Sequence, residues 1–191
     1  MPIKLMRKIY SHNRPNSEPN PSFKVRYDLN QVQRYEYVLN QNKQSLQQFK
    51  SVLEFGCGHG RLLSHMLDII PNASVFGADV IQEQINKCRE QFPSGVFICN
   101  RPEPPIDFED NQFDLIYSYS VFTHFSESNH LAWLKELERI LKPGGMMLHS
   151  VKSYEFVRRA KIFSPQNLVK YQLSEPFEKF EITLLILNGK W

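Results

Sequence analysis

Val52-Leu53-Glu54-Phe55-Gly56-Cys57-Gly58-His59-Gly60-Arg61-Leu62-Leu63 decides how this 191-residue chain folds. The apolar run closing at Glu54 predicts a buried strand, and glycines at alternate positions 56, 58 and 60 predict a tight turn. Leu62, Leu63, Met66, Leu67 and Ile70 then recur at helical spacing. A loop approached closely by a ligand has no room for Cβ atoms and can require positive φ. The first N–H groups of the following helix have no internal partners, so they can hold an anionic or polar ligand. The stretch therefore reads as strand, binding turn and helix.

Downstream, Ser74-Val75-Phe76-Gly77-Ala78-Asp79-Val80 predicts a second strand ending in an acid. Asp79 lies about 20 residues past the glycine turn, the separation at which an acid receives two ribose hydroxyls. A carboxylate accepts both hydrogen bonds of a vicinal diol; capping the next helix is the alternative, and one acid can do both. Ile81, Ile85, Cys88 and Phe92 form a helical stripe stopped by Pro93-Ser94-Gly95. Val96-Phe97-Ile98-Cys99 predicts a third strand, buried by its continuous apolar character. Asn100 follows it, as a turn former or as an amide-oxygen acceptor. Phe113 to Ser120 predicts a fourth strand, after the turn Glu109-Asp110-Asn111-Gln112. A helix with the stripe Leu131, Leu134, Leu137 and Leu141 comes next, then a turn at Pro143-Gly144-Gly145 and a fifth strand to His149. Alternating strands and helices predict a parallel sheet with right-handed crossovers and a ligand outside the carboxyl ends of its strands. Glu54, Asp79, Asn100 and Ser118 all fall at such ends.

The dinucleotide fingerprint Gly-x-Gly-x-x-Gly would need a glycine where Arg61 stands, which disfavours a nicotinamide-dependent oxidoreductase. Glu54 through Gly60 instead resembles motif I of the class I S-adenosylmethionine (SAM) dependent methyltransferases. The resemblance extends over residues 50–151 through Asp79, Phe113-Asp114, Val121-Phe122-Thr123-His124 and Lys142-Pro143-Gly144-Gly145. It implies a Rossmann-like, doubly wound, mostly parallel α/β sheet with its first strand central, and SAM as cofactor with S-adenosylhomocysteine (SAH) as product. It also implies cofactor contacts from Glu54, Gly56, Cys57, Gly58, Gly60, Asp79, Val80, Asn100 and Ser118. In that family the glycines approach the methionine part, the acid orients its amino end, and a polar residue after the third strand meets the adenine amino group. The family closes its sheet with an antiparallel pair. Here only Phe180 to Leu187 reads as one such strand, so a short or incomplete antiparallel part is expected, its second strand missing or irregular within 151–163, with a sheet edge open to a second copy.

Residues 1–29 read as an extended arm, with Pro15, Pro19 and Pro21 opposing regular pairing, and 30–191 as one methyltransferase domain. From Asn30 to Phe49 a Gln-rich helix is expected. It either packs on the sheet or forms a flap presenting Arg26, Tyr27, Arg34 and Tyr35 to ligand. A helix cap is expected at Ser164-Pro165. The net charge of +3 includes no dense Lys/Arg stripe, so nucleic acid is not the expected partner. Three cysteines without Cys-x-x-Cys spacing argue against a disulfide framework or zinc. No leader-like or membrane-spanning run is read, and a cytoplasmic protein is expected.

Methyl transfer needs positioning above all, and a general base only for a weakly acidic or protonated acceptor. His124, after the fourth strand, is the candidate base, with capping or packing as its alternative. His59 shapes the loop, and His149 is placed to reach the pocket. Tyr117 and Tyr119 read as packing residues, and Cys57 is there for its small size. The fourth strand lacks the acidic or Asn residue followed by Pro-Pro and an aromatic that marks amide and base methylation. The expected acceptor is a small molecule or glycan, as the Ser-Val-Phe-Thr-His run resembles bacterial enzymes of that kind. A non-catalytic SAM-binding module that regulates a partner is the rival reading.

Overall fold

The computed structural model describes residues 31–40, 43–152, 172–173 and 182–188. Helix α1 covers 31–40. Next come a 3-10 turn Leu46–Gln48, β1 Ser51–Phe55, α2 Arg61–Ile69, β2 Ser74–Asp79, α3 Gln82–Gln91 and β3 Val96–Cys99. The chain continues with β4 Phe113–Ser118, a second 3-10 turn Phe122–His124, α4 Glu127–Ile140, β5 Leu141–Lys152, β6 Gln172–Leu173 and β7 Ile182–Asn188.

The seven strands among the described residues form one sheet in the order β3-β2-β1-β4-β5-β7-β6. The five strands from β3 to β5 are parallel, and β7 runs antiparallel to both β5 and β6. The order reverses between β1 and β4, so the crevice where α/β sheets bind ligands opens above these two strands. The Rossmann-like α/β architecture is the expected one.

Strand alternation sends successive side chains to opposite faces. On one face Leu53, Phe55, Phe113, Ile116 and Met147 pack against Trp133, Leu134, Leu137 and Ile140 of α4. On the other, Val52, Leu115, Tyr117 and Leu148 meet α1 through Val32, Tyr35 and Leu39, and α2 through Leu62 and Met66. Asp114, at the opposite end of the sheet from the crevice, accepts hydrogen bonds from the Lys50 and Ser51 N–H groups and so anchors the start of β1.

Several expectations are corrected. The helix expected over 30–49 covers 31–40 of the described residues, and a 3-10 turn capped by the Ser45 hydroxyl occupies 46–48. The third strand is not buried: β3 is an edge strand with Val96 and Cys99 exposed and Phe97 turned inward. The Asn100 N–H bonds the Asp79 carbonyl, so by alternation the Phe97 carbonyl faces outward, where the Arg89 guanidinium donates to it at 3.2 and 2.7 Å. Ile81 stands at the N-cap of α3 and is exposed, because the helix begins one residue later. Leu131 is exposed and Leu141 opens β5; the buried face of α4 is His130, Trp133, Leu134, Leu137 and Ile140. The Pro143-Gly144-Gly145 turn is an irregularity inside β5, where Leu141 and Met146 face Phe113 and Leu115. A second antiparallel strand exists at Gln172–Leu173, outside the 151–163 window. The arm 1–29, with Arg26 and Tyr27, residues 153–163 and the Ser164-Pro165 cap lie outside the described residues.

Leu131 and Leu137 of α4 differ in burial. Leu137→Ala is expected to cost about 2–5 kcal/mol in urea unfolding, as a buried truncation, and Leu131→Ala within about 0.5 kcal/mol.

Candidate functional site

The glycine loop leaves β1 over the carboxyl end of β2. The N–H groups of Gly56 and Cys57 both donate to the Ala78 carbonyl, at 2.8 and 3.0 Å, and the Gly58 N–H donates to Asp79 Oδ2 at 2.8 Å. Asp79 Oδ1 accepts from the Ile81 N–H at 3.0 Å. The carboxylate therefore ties the loop to the start of α3 and does the capping job weighed for it.

Gly56, Gly58 and Gly60 all have positive φ, at +76°, +53° and +80°. What surrounds them separates their roles. A Cβ on Gly56 would collide with Val121 of the turn after β4, and one on Gly60 with the Phe92 ring. A Cβ on Gly58 would meet nothing within 4 Å. Gly56 and Gly60 are glycines for protein packing, whereas Gly58 borders open space. The Cys57 thiol is buried and points to the Gly58 carbonyl at 3.6 Å, and Cys88 Sγ reaches the same carbonyl at 3.2 Å. Burial raises the Cys57 pKa, so this is an inert thiol under the loop.

Glu54, next to last in β1 and on the opposite face from Phe55, is buried. Tyr117 donates to its Oε2 at 3.1 Å. Burial pushes its carboxyl up to about 8 against the lowering effects of Tyr117 and Arg61. Tyr35 of α1 packs its ring 5.8 Å from Tyr117 and donates to the Ser118 carbonyl at 3.0 Å. Tyr35 is thus wall rather than flap surface, and Arg34 donates to Gln31 Oε1 at 3.3 Å.

Asn100 is half-buried: its Nδ2 donates to the Arg101 carbonyl at 2.7 Å and its buried Oδ1 has no partner. Val80 is 51% exposed at the lip. Ser118 is fully buried, its Oγ bonded to His149 Nδ1 at 2.8 Å. His124 is exposed at the end of the turn after β4, and His59 is exposed in the loop. The structure brings Glu54, the loop, Asp79, Val80 and Asn100 together along the ends of β1, β2 and β3, and places Ser118 behind them. Sequence reading missed Gln31, buried with an unpartnered Nε2 one turn before Tyr35, and His130, buried on α4. Each is polar at a position whose helical neighbours are apolar, and that periodicity was the available signal.

Residues 52–145 match the methyltransferase domain family. That region belongs to the SAM-dependent methyltransferase family. A fatty-acid O-methyltransferase of Mycolicibacterium smegmatis is 32% identical over 107 residues, 53% of this chain and 36% of that protein. The chain thus spans little more than a third of that relative's length. Among solved structures, the PH0226 protein of Pyrococcus horikoshii superposes with a TM-score of 0.64 at 20% identity, over 90% of this chain and 92% of that one. The plantazolicin methyltransferase solved with SAH gives 0.55 at 19%, over 75% and 54%. The family's cofactor fits what is here: open space beside the Gly58 backbone, and an unpartnered acceptor at Asn100. Among the described residues no group of three or more His, Cys, Asp or Glu could hold a metal, and no helix is long and apolar enough to cross a membrane.

The buried titratable groups set a pH profile. Glu54, raised from 4.5 to about 8, contributes stability below pH 4.5 that is lost as pH rises towards 8. His130 and His149, lowered by burial from 6.5 to about 4 and about 3, contribute stability above pH 6.5 that is lost as pH falls through their folded values. Glu54→Gln is therefore expected to match wild type near pH 4.5 and to gain up to about 1.4 kcal/mol per pH unit between there and pH 8, measured by urea unfolding.

Proposed function

We propose that this chain transfers a methyl group from SAM to a small-molecule or glycan acceptor, with 30–191 acting as one domain. The observation that carries the reading is the open side of Gly58, in a loop pinned by Asp79 and lined by Glu54 and the unpartnered oxygen of Asn100. In this reading Glu54 holds the amino end of the methionine part. The backbone from Gly56 through Cys57 and Gly58 to Gly60 gives the approach surface. Each Asp79 oxygen keeps acceptor capacity for one ribose hydroxyl beside its backbone bond. Val80 covers adenine, Asn100 Oδ1 accepts from its amino group, and Ser118 backs the methionine end. Gln31 Nε2 adds a donor from α1.

Bound SAM supplies a methyl on a sulfonium, a leaving group already activated. The chain's own contribution is to hold donor and acceptor in line and to exclude water, worth about 7–11 kcal/mol when alignment is good. His124, exposed beyond β4, serves as base where the acceptor is a hydroxyl. A small acceptor is supported by the absence of a Pro-Pro-aromatic element after β4 and of a dense basic stripe in the sequence.

Calorimetry with SAH tests the reading. Wild type is expected to bind, Asp79→Ala and Gly58→Ala to bind about tenfold more weakly or worse, and His124→Asn to bind as wild type while losing turnover on hydroxyl acceptors. Folded wild-type protein that takes up no SAH would refute it. Because a cationic ligand favours ionised Glu54, SAM affinity is expected to strengthen up to about tenfold per pH unit as pH rises towards 8, a trend absent in Glu54→Gln.

A further inference from the structure

The turn joining β4 to α4 is held from below by His149 and its bond to Ser118, a contact that no role above uses. Ser118 and His149 are register partners on adjacent parallel strands, and their side chains bond at 2.8 Å with both residues wholly buried. The His149 ring lies 4.5 Å from Phe122, centroid to centroid, and the His130 ring lies 4.7 Å from that same Phe122. The next residue of β5, Ser150, points to the opposite face and accepts the Ser120 N–H at its Oγ. Ser120 itself has φ +60°, a left-handed conformation rare outside glycine. Such a turn persists only where its surroundings hold it. Val121, between these two anchors, fills the space a Cβ on Gly56 would need.

We propose that His149 is a positioning residue for the methyltransferase site: through Ser118 and Phe122 it fixes the turn 119–125, and through Val121 it sets the height of the glycine loop at Gly56. The inference rests on the cofactor reading above for its purpose and on geometry for its mechanism. His149 touches neither donor nor acceptor. It must present an uncharged ring, since a second proton would occupy Nδ1 and Nε2 together beside Phe122 with no counter-charge. Burial and His130 hold His149 well below its usual range, in keeping with that state. Both rings keep a buried Nε2 without a partner, a cost that packing alone would have removed by placing apolar residues there.

The test uses His149→Phe, which keeps a ring against Phe122 but loses the bond to Ser118, and His149→Asn, whose amide can restore that bond. Ser118→Ala removes the bond from the other side. In protein without cofactor, amide exchange at Ser120 and His124 is expected to speed up about five- to tenfold in His149→Phe and Ser118→Ala, the worth of one buried hydrogen bond, and to return towards wild type in His149→Asn. SAH affinity should fall by a similar factor and recover in the same order, with no further loss in the Ser118→Ala, His149→Phe double variant. Unchanged exchange in both single variants, or losses that add in the double, would overturn the proposal even where SAH binds. Failure of folded wild type to bind SAH while exchange responds as expected would instead overturn the cofactor reading, and with it the purpose given to His149.

Discussion

The end of β2 is the point on which the site depends. Two residues, Ala78 and Asp79, receive the N–H groups of Gly56, Cys57, Gly58, Ile81 and Asn100. They thereby fix three connections at once: the loop from β1, the entry to α3, and the exit from β3. The carboxylate of Asp79 makes two of these bonds, and charge-assisted bonds to backbone are among the stronger ones, about 1.5–3 kcal/mol each. Parallel register brings the partners within reach, since Phe55 lies opposite Ala78 and Asp79 opposite Cys99. A one-residue slip would turn the acid away from the loop.

Around this hub the chain keeps polar groups in places that stability alone would fill with carbon. Glu54 with Tyr117 sits on one face of the sheet, and Ser118 with His149 on the other, at neighbouring positions of β1, β4 and β5. Both pairs are buried: burial raises the Glu54 pKa, and His149 Nε2 has no partner. Violations of this kind concentrate where a protein must hold something other than itself. Here they cluster at the carboxyl ends of the strands, while at the opposite end Asp114 accepts from the Lys50 and Ser51 N–H groups.

Much of this was legible in the sequence. The strand-glycine-helix run named the loop, the helix-capping alternative for the acid closing β2 was readable, and alternation of strands and helices gave the parallel sheet. What escaped was set by partners distant in the chain. Val96-Phe97-Ile98-Cys99 reads as a buried strand because its composition is apolar, yet its place at the margin follows from strand order, which no local pattern encodes. Leu134 and Leu137 of the leucine stripe are buried, but Leu131 is not, and His130, Trp133 and Ile140 complete the true face of α4. The Ser118 to His149 bond joins residues 31 apart, and each alone reads as an ordinary strand residue.

Arg89 bears on how the molecule behaves among its neighbours. Its guanidinium covers the outward carbonyl in the middle of β3 with two bonds. A foreign strand arriving along that margin would have to evict a cation already seated there before it could pair. The exposed apolar side chain of Val96 therefore sits beside a backbone acceptor that is already occupied, which makes this flank a poorer template for an added strand.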